Sequence, residues 1–148
     1  MAKTVAKEQG GAAPEGNRTV RRIYAALAWL TFVCIVVQVF LAGLGTFADS
    51  ADWKLHTTFV GYFEYVPVVM FILSFFGRIR GWLRWSGLVL YALITFQHMS
   101  VQAFSGIGAL AALHTVVALA LFLGSWHTAR KSSRRLAPGP RSDLGAPA

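Results

Sequence analysis

This sequence has very little cysteine and few acidic residues. Its 148 residues include one cysteine, Cys34, and six Asp and Glu against 14 Lys and Arg. A single cysteine excludes an internal disulfide and a thiolate metal site built by one chain. The sequence also shows no phosphate-binding glycine loop, no dinucleotide-binding fingerprint and no nucleophile triad. Nothing in it therefore indicates a soluble enzyme.

Apolar residues, in contrast, make up 55% of the chain, and the mean hydropathy is +0.53. They form four stretches of roughly 20 residues or slightly more, each long enough to cross a hydrocarbon core of ~30 Å as a helix. The stretches cover residues 24–47, 56–76, 82–104 and 107–129. We predict an all-α integral membrane protein, a four-helix up-down bundle over residues 23–130. The flanking segments 1–22 and 131–148 have the composition of disordered basic tails.

The basic residues predict the orientation of this bundle. Thirteen of the 14 lie before the first stretch, around the second connection or after the fourth stretch, and only Lys54 lies in another connection. Because cytoplasmic loops are enriched in Lys and Arg, both termini are expected in the cytoplasm, at the inner face of the cell membrane. The net charge of +8 is then a topology signal, with anionic lipids as its expected partner and no role for nucleic acid.

Polar residues inside the apolar stretches cluster near one end. Counted from the exterior, most lie about five to nine residues deep, which is ~8 to 14 Å at 1.5 Å per residue. This layer contains Gln38, Glu64, Gln97, His98 and His114, with His56 at the outer boundary. Since polar side chains in hydrocarbon face the bundle interior, a functional site in the outer half is predicted. His127 lies at the cytoplasmic boundary, where an interfacial role is expected.

Haem is the cofactor that suits this layer. Two neutral imidazoles that converge from different helices in a dry bundle are axial ligands for haem iron. In an up-down bundle the second and fourth helices are diagonal, so residues at equal depth face each other across the centre. Small residues lie near both histidines, with Gly61 after His56 and several more before His114. Either they leave room for a flat macrocycle, or they only allow close helix packing.

The same residues carry a resemblance to a known family. The stretch DWKLH that ends at His56, Gln97 in the third span, and Leu113-His114 followed by Ala118 are similar to one four-helix half of haem A synthase. The resemblance implies that His56 and His114 are paired axial ligands of a b-type haem. Asp52 takes the place of a glutamate in that family, and the chain matches one half where the family fuses two. The chain also resembles small actinobacterial-type four-helix membrane proteins of unknown function.

Three interpretations follow. The first is a b-type haem-binding membrane protein for electron transfer or haem handling, with haem b held by His56 and His114 and surrounded by His98, Gln97, Gln38 and Gly61. The second is a non-enzymatic accessory or assembly subunit of a larger membrane complex, or a homo-oligomer, whose polar layer holds the helices together. The third is a small transporter or proton-conducting protein that uses Glu64 and the histidines as a relay, but the apolar inner half of the bundle argues against it. A zinc site built from these residues is a weaker alternative, because no tight ligand motif is present.

Overall fold

The fold is all-helical in the residues that the structure, a computed structural model, describes: 15–103, 107–108 and 112–136. The helices are α1 (Glu15–Phe47), α2 (Trp53–Phe63), α3 (Val66–Phe76), α4 (Trp82–Ala103) and α5 (Leu113–Arg134). A 3-10 turn, Ser50–Asp52, precedes α2, and Asp49 caps it by accepting a hydrogen bond from the Ala51 N–H at 2.8 Å. The α2 and α3 helices are two halves of one rod, so the described residues form four helical rods.

The helices extend beyond the apolar stretches at both ends of the chain. The first begins at Glu15 and the last ends at Arg134, inside the segments 1–22 and 131–148 for which the composition predicts disorder. Contacts hold these extensions in place, because Arg21 Nε donates to the Gly77 carbonyl at 2.9 Å and Trp29 Nε1 donates to Ser133 Oγ at 2.9 Å. The rest of both tails, residues 104–106 and residues 109–111 at the start of the fourth predicted span lie outside the described residues.

The second rod is interrupted, whereas the sequence predicts one continuous helix over 56–76. The α2 helix ends at Phe63, Glu64 and Tyr65 form a turn, and α3 begins at Val66. Pro67 explains the break, since proline has no N–H to donate to the carbonyl four residues earlier. Proline is tolerated in the first turn of α3, where that donor is not needed. The break places Glu64 at a helix terminus within the bundle.

The four rods form an antiparallel bundle. The first rod packs against the second and against α5, and α4 packs against α3 and α5. The first and third rods are therefore one diagonal pair, and the second and fourth are the other, as the short connections predict. Two apolar clusters fill the centre: one around Tyr24, Met70 and Leu83, and one around Phe63 and Leu90.

The bundle is apolar outside and partly polar inside. Its most deeply buried side chains include seven hydroxyl residues, most of which donate to a carbonyl of their own helix: Thr31, Ser74, Ser86, Ser100, Ser125, Thr128 and Ser132. Every rod exposes large apolar side chains, among them Phe40, Ile72, Leu88 and Leu119. Two segments, Arg18–Phe47 and Ser50–Phe76, are long and apolar enough to cross a membrane. That test concerns length and composition alone, in the described residues.

Candidate functional site

The candidate site lies at the end of the bundle opposite the arginines, where α1 ends and α2 begins. Gln38 and His56 join these helices by two reciprocal hydrogen bonds. Gln38 Nε2 donates to the His56 carbonyl at 2.8 Å, and His56 Nδ1 lies 3.0 Å from the Gln38 carbonyl oxygen. Because a carbonyl only accepts, Nδ1 of His56 carries the proton in this contact, and Nε2 is left as the nitrogen with a lone pair.

His114 faces His56 from the diagonal helix. The two imidazole centroids are 6.4 Å apart, with 56° between the ring planes. Nδ1 of His114 is buried and has no hydrogen-bond partner among the described atoms. A buried ring nitrogen without a partner is unusual in a folded protein and calls for an explanation, such as a bound group that occupies it.

Trp53 packs against His56 at the start of α2. Its indole meets the His56 ring edge-on, with 5.5 Å between centroids. A Cβ atom added to Gly45 would lie 2.8 Å from the Trp53 ring, so the first rod approaches this indole closely only because residue 45 has no side chain. Trp53 and the Gln38–His56 hydrogen bonds together fix the entrance of α2 against α1.

Two further polar residues, Gln97 and His98, lie on α4 at the same end of the bundle. Among the described atoms, the buried side-chain oxygens of Gln97 and Gln38 have no hydrogen-bond partner. The His98 side chain points toward the end of α2, where its Nδ1 lies 3.6 Å from Glu64 Oε2. The His98 side chain is 44% exposed and that of Glu64 is 23% exposed. This pair joins α4 to the break between α2 and α3, at the edge of the bundle.

The remaining predicted residues lie outside this cluster. Gly61 is exposed, and an added Cβ there would meet no heavy atom within 4 Å, so it does not mediate helix packing within the chain. Asp52 precedes α2 without a side-chain cap hydrogen bond. His127 is exposed at the basic end beside Trp126 and Arg130. Among the described residues, no three His, Cys, Asp or Glu side chains form a metal-binding group, so the zinc alternative gains no support.

One polar cluster was not predicted from the sequence. Tyr24, 1% exposed, donates its hydroxyl proton to the Leu83 carbonyl at 2.5 Å and contacts Ser86 Oγ at 3.0 Å. This cluster joins α1 to α4, the other diagonal pair, near the basic end. A tyrosine just inside an apolar stretch resembles an interfacial residue in sequence, and only the partner carbonyl reveals its buried role.

Comparison with known proteins finds one family match, which overlaps part of this site. Residues 38–105 match a family of unknown function (DUF6220). The match covers less than half of the chain; it includes Gln38, His56, Glu64, Gln97 and His98, and His114 lies beyond it. No curated protein and no solved structure matches the chain. The comparisons bring no link to haem A synthase.

Proposed function

We propose that the chain is a four-span membrane protein that holds haem b between His56 and His114. The membrane part of this proposal is supported by the distribution of side chains in the bundle. Large apolar residues are exposed on all four rods, including α4 and α5, where Phe96, Val116 and Leu123 are exposed. A water-soluble monomer rarely exposes apolar area all round, whereas a lipid-facing surface requires it.

The distribution of charge supports an orientation with both termini in the cytoplasm. Arg21, Arg78 and Arg135 lie at one end of the bundle, around the turn between α3 and α4. Asp49, Asp52 and Lys54 lie at the opposite end, beside His56. The positive-inside rule then puts the basic end in the cytoplasm, next to anionic lipids, and the histidines in the outer half.

The arrangement of the two imidazoles supports an iron site. Two imidazole nitrogens that share one metal ion each lie about 2.0–2.1 Å from it, which puts the ring centroids roughly 6 Å apart. The observed separation is 6.4 Å. His56 also has the hydrogen bond typical of a metal-bound imidazole, with the non-ligating Nδ1 directed at a backbone carbonyl. The buried Nδ1 of His114, which has no partner among the described atoms, is the one observation that most favours a ligand at this site.

In this proposal the chain's own residues hold and orient the cofactor. His56 and His114 would hold the haem iron, Gln38 fixes the tautomer of His56 through its carbonyl, and Gln97 has a buried side-chain oxygen without a partner among the described atoms. Bound haem supplies one-electron chemistry, and burial among apolar side chains sets its reduction potential. This makes electron transfer or haem handling the expected role.

The test is an absorption spectrum of the detergent-purified, full-length protein from haem-replete cells, oxidised against reduced. A Soret band and reduced b-type bands are expected in the wild type, with loss of the bands in His56→Ala and His114→Ala. His127→Ala, a histidine at the far end of the bundle, serves as the control and should keep them. A colourless wild-type protein, or equal loss in the control, contradicts the proposal.

A second candidate function is supported by the reciprocal hydrogen bonds between Gln38 and His56 and by the His98–Glu64 pair. Both join neighbouring rods, as polar residues do when they stabilise helix association in a membrane. In that case the chain is a non-enzymatic accessory or assembly subunit, and its exposed apolar faces contact other subunits or a second copy. Substitution of His56 would then alter co-purification with a partner, and the protein would show no haem spectrum.

A further inference from the structure

A small cavity opens at the basic end of the bundle, away from the histidines. It has a volume of ≈ 50 Å³ and lies between the start of α1, the turn before α4 and the end of α5. Three arginines, Arg21, Arg78 and Arg135, line it together with Tyr24 and Ser132. None of the described residues that line it is acidic.

The backbone at the end of α3 fixes the position of Arg78. Ile79 N–H donates to the Ser74 carbonyl at 2.8 Å and Arg78 N–H to the Phe75 carbonyl at 3.2 Å, the hydrogen-bond pattern of a Schellman motif. Arg78 occupies the left-handed position of this motif with φ 49°, which usually belongs to glycine. The chain therefore holds an arginine in an unfavourable backbone conformation at the edge of the cavity.

The other two arginines come from different helices. Arg21 Nε donates a hydrogen bond to the Gly77 carbonyl, and this bond holds the guanidinium beside the turn. Arg135 makes one long contact, 3.4 Å, to the Arg80 carbonyl. Among the side chains that the structure describes, the ion pair within 4.0 Å is His98–Glu64, so none of these arginines has a carboxylate partner there.

Apart from the arginines, the lining of the cavity is mixed, because Ile79, Leu83 and Leu136 are apolar while Tyr24 and Ser132 carry hydroxyl groups. It is formed in part by Tyr24, which its hydrogen bonds to Leu83 and Ser86 hold in the core. Since a buried water needs about 10–15 Å³ of such volume, the cavity holds roughly three to five waters, which is about the size of a phosphate group. Guanidinium groups recognise phosphate oxygens by paired hydrogen bonds.

We infer that this cavity binds a phosphate group through Arg21, Arg78 and Arg135. The phosphate belongs either to the headgroup of an anionic lipid or to inorganic phosphate, because both present the same oxygens. This site is independent of the haem site, and either one can exist without the other.

The experiment measures the thermal stability of the full-length protein in a neutral detergent as ligand is added. The probes are phosphatidylglycerol, inorganic phosphate and monoolein, a lipid without phosphate. A ligand that binds the folded state raises Tm in proportion to ln(1 + [L]/Kd). Native mass spectrometry counts the lipid that each variant retains. A shift with both phosphate probes indicates a site for any phosphate, and a shift with phosphatidylglycerol alone indicates a lipid site; both outcomes support the inference.

The decisive variants are Arg135→Gln and Arg78→Gln, which should weaken binding about tenfold, because a hydrogen bond to a charged group is lost. Arg22→Gln is the matched control: it removes the same charge one residue from Arg21, on an exposed side chain that does not line the cavity. If the Arg78→Gln protein does not fold, the Arg135→Gln protein alone provides the test. No shift with either phosphate probe, an equal shift with monoolein, or equal weakening in Arg22→Gln overturns the inference.

Discussion

The imidazole rings of His56 and His114 lie 6.4 Å apart across a diagonal of the bundle. The other diagonal is bridged at the opposite end, where the Tyr24 hydroxyl donates to the Leu83 carbonyl. Among the described residues, each pair of diagonal helices thus has polar side chains that reach across the bundle, and the two places lie at opposite ends. Near the arginines, the Tyr24 hydroxyl has a matching acceptor. Between the histidines, in contrast, Nδ1 of His114 has no partner among the described atoms. That difference distinguishes a structural contact from a candidate binding site.

Removal of the Tyr24 hydroxyl should destabilise the bundle. In Tyr24→Phe the buried bonds to Leu83 and Ser86 are lost, and we expect a decrease of about 1–3 kcal/mol in the free energy of unfolding. Unfolding in mixed micelles by a denaturing detergent measures the change. Tyr62→Phe is the control, because the Tyr62 side chain is 79% exposed. An equal effect in the two variants would show that the buried bonds contribute nothing specific.

The packing of α3 against α4 should depend on Gly87. A Cβ there would lie 2.5 Å from the Pro67 carbonyl oxygen and 3.0 Å from the Phe71 nitrogen, which are backbone atoms with little freedom to move. Gly87→Ala is therefore expected to lower stability by about 1–3 kcal/mol through overpacking. Gly43→Ala, where an added Cβ meets no atom within 4 Å, should be neutral or slightly stabilising. The same unfolding measurement compares them, and a stable Gly87→Ala protein would contradict the close approach.

Gly61 tests whether the space beside α2 belongs to a cofactor. If haem lies there, Gly61→Leu should reduce the ratio of haem to protein severalfold, since the new side chain occupies the volume that the macrocycle needs. Gly43→Leu, at a comparably open position on α1, should leave that ratio unchanged. The pyridine haemochrome absorbance per mole of protein gives the ratio. Full haem content in Gly61→Leu would place the macrocycle on another side of the histidines.

The His98–Glu64 pair should contribute little to stability. Its atoms are 3.6 Å apart, which is long for a hydrogen bond, and polar contacts between helices in a membrane contribute modestly to stability. A double-mutant cycle with Glu64→Gln and His98→Asn should give a coupling energy of at most about 1 kcal/mol. The haem spectrum should survive both substitutions. Loss of the spectrum in His98→Asn would instead assign His98 as a ligand.

The sequence predicts the number of helical rods and their antiparallel order well. Four apolar stretches with short connections leave few other arrangements, and the structure confirms an all-helical bundle with this order. The points at which the helices begin and end were harder to predict. The break at Glu64 and Tyr65 follows from Pro67, whose effect a hydropathy pattern does not include. The extension of α1 to Glu15 depends on contacts such as that of Arg21 with Gly77, which are distant in sequence.

By itself, the sequence determined the composition of each helix, the concentration of positive charge at one end and the depth of each polar residue, because these depend only on position along a helix. The tertiary structure decided which polar groups meet. It brings His56, at the outer boundary of the predicted polar layer, toward His114, and it turns His98 toward Glu64. It also leaves one imidazole nitrogen without a partner and gathers three arginines around a cavity. These outcomes depend on the rotation of each helix about its axis, which packing against its neighbours sets and which a linear pattern of depths does not contain.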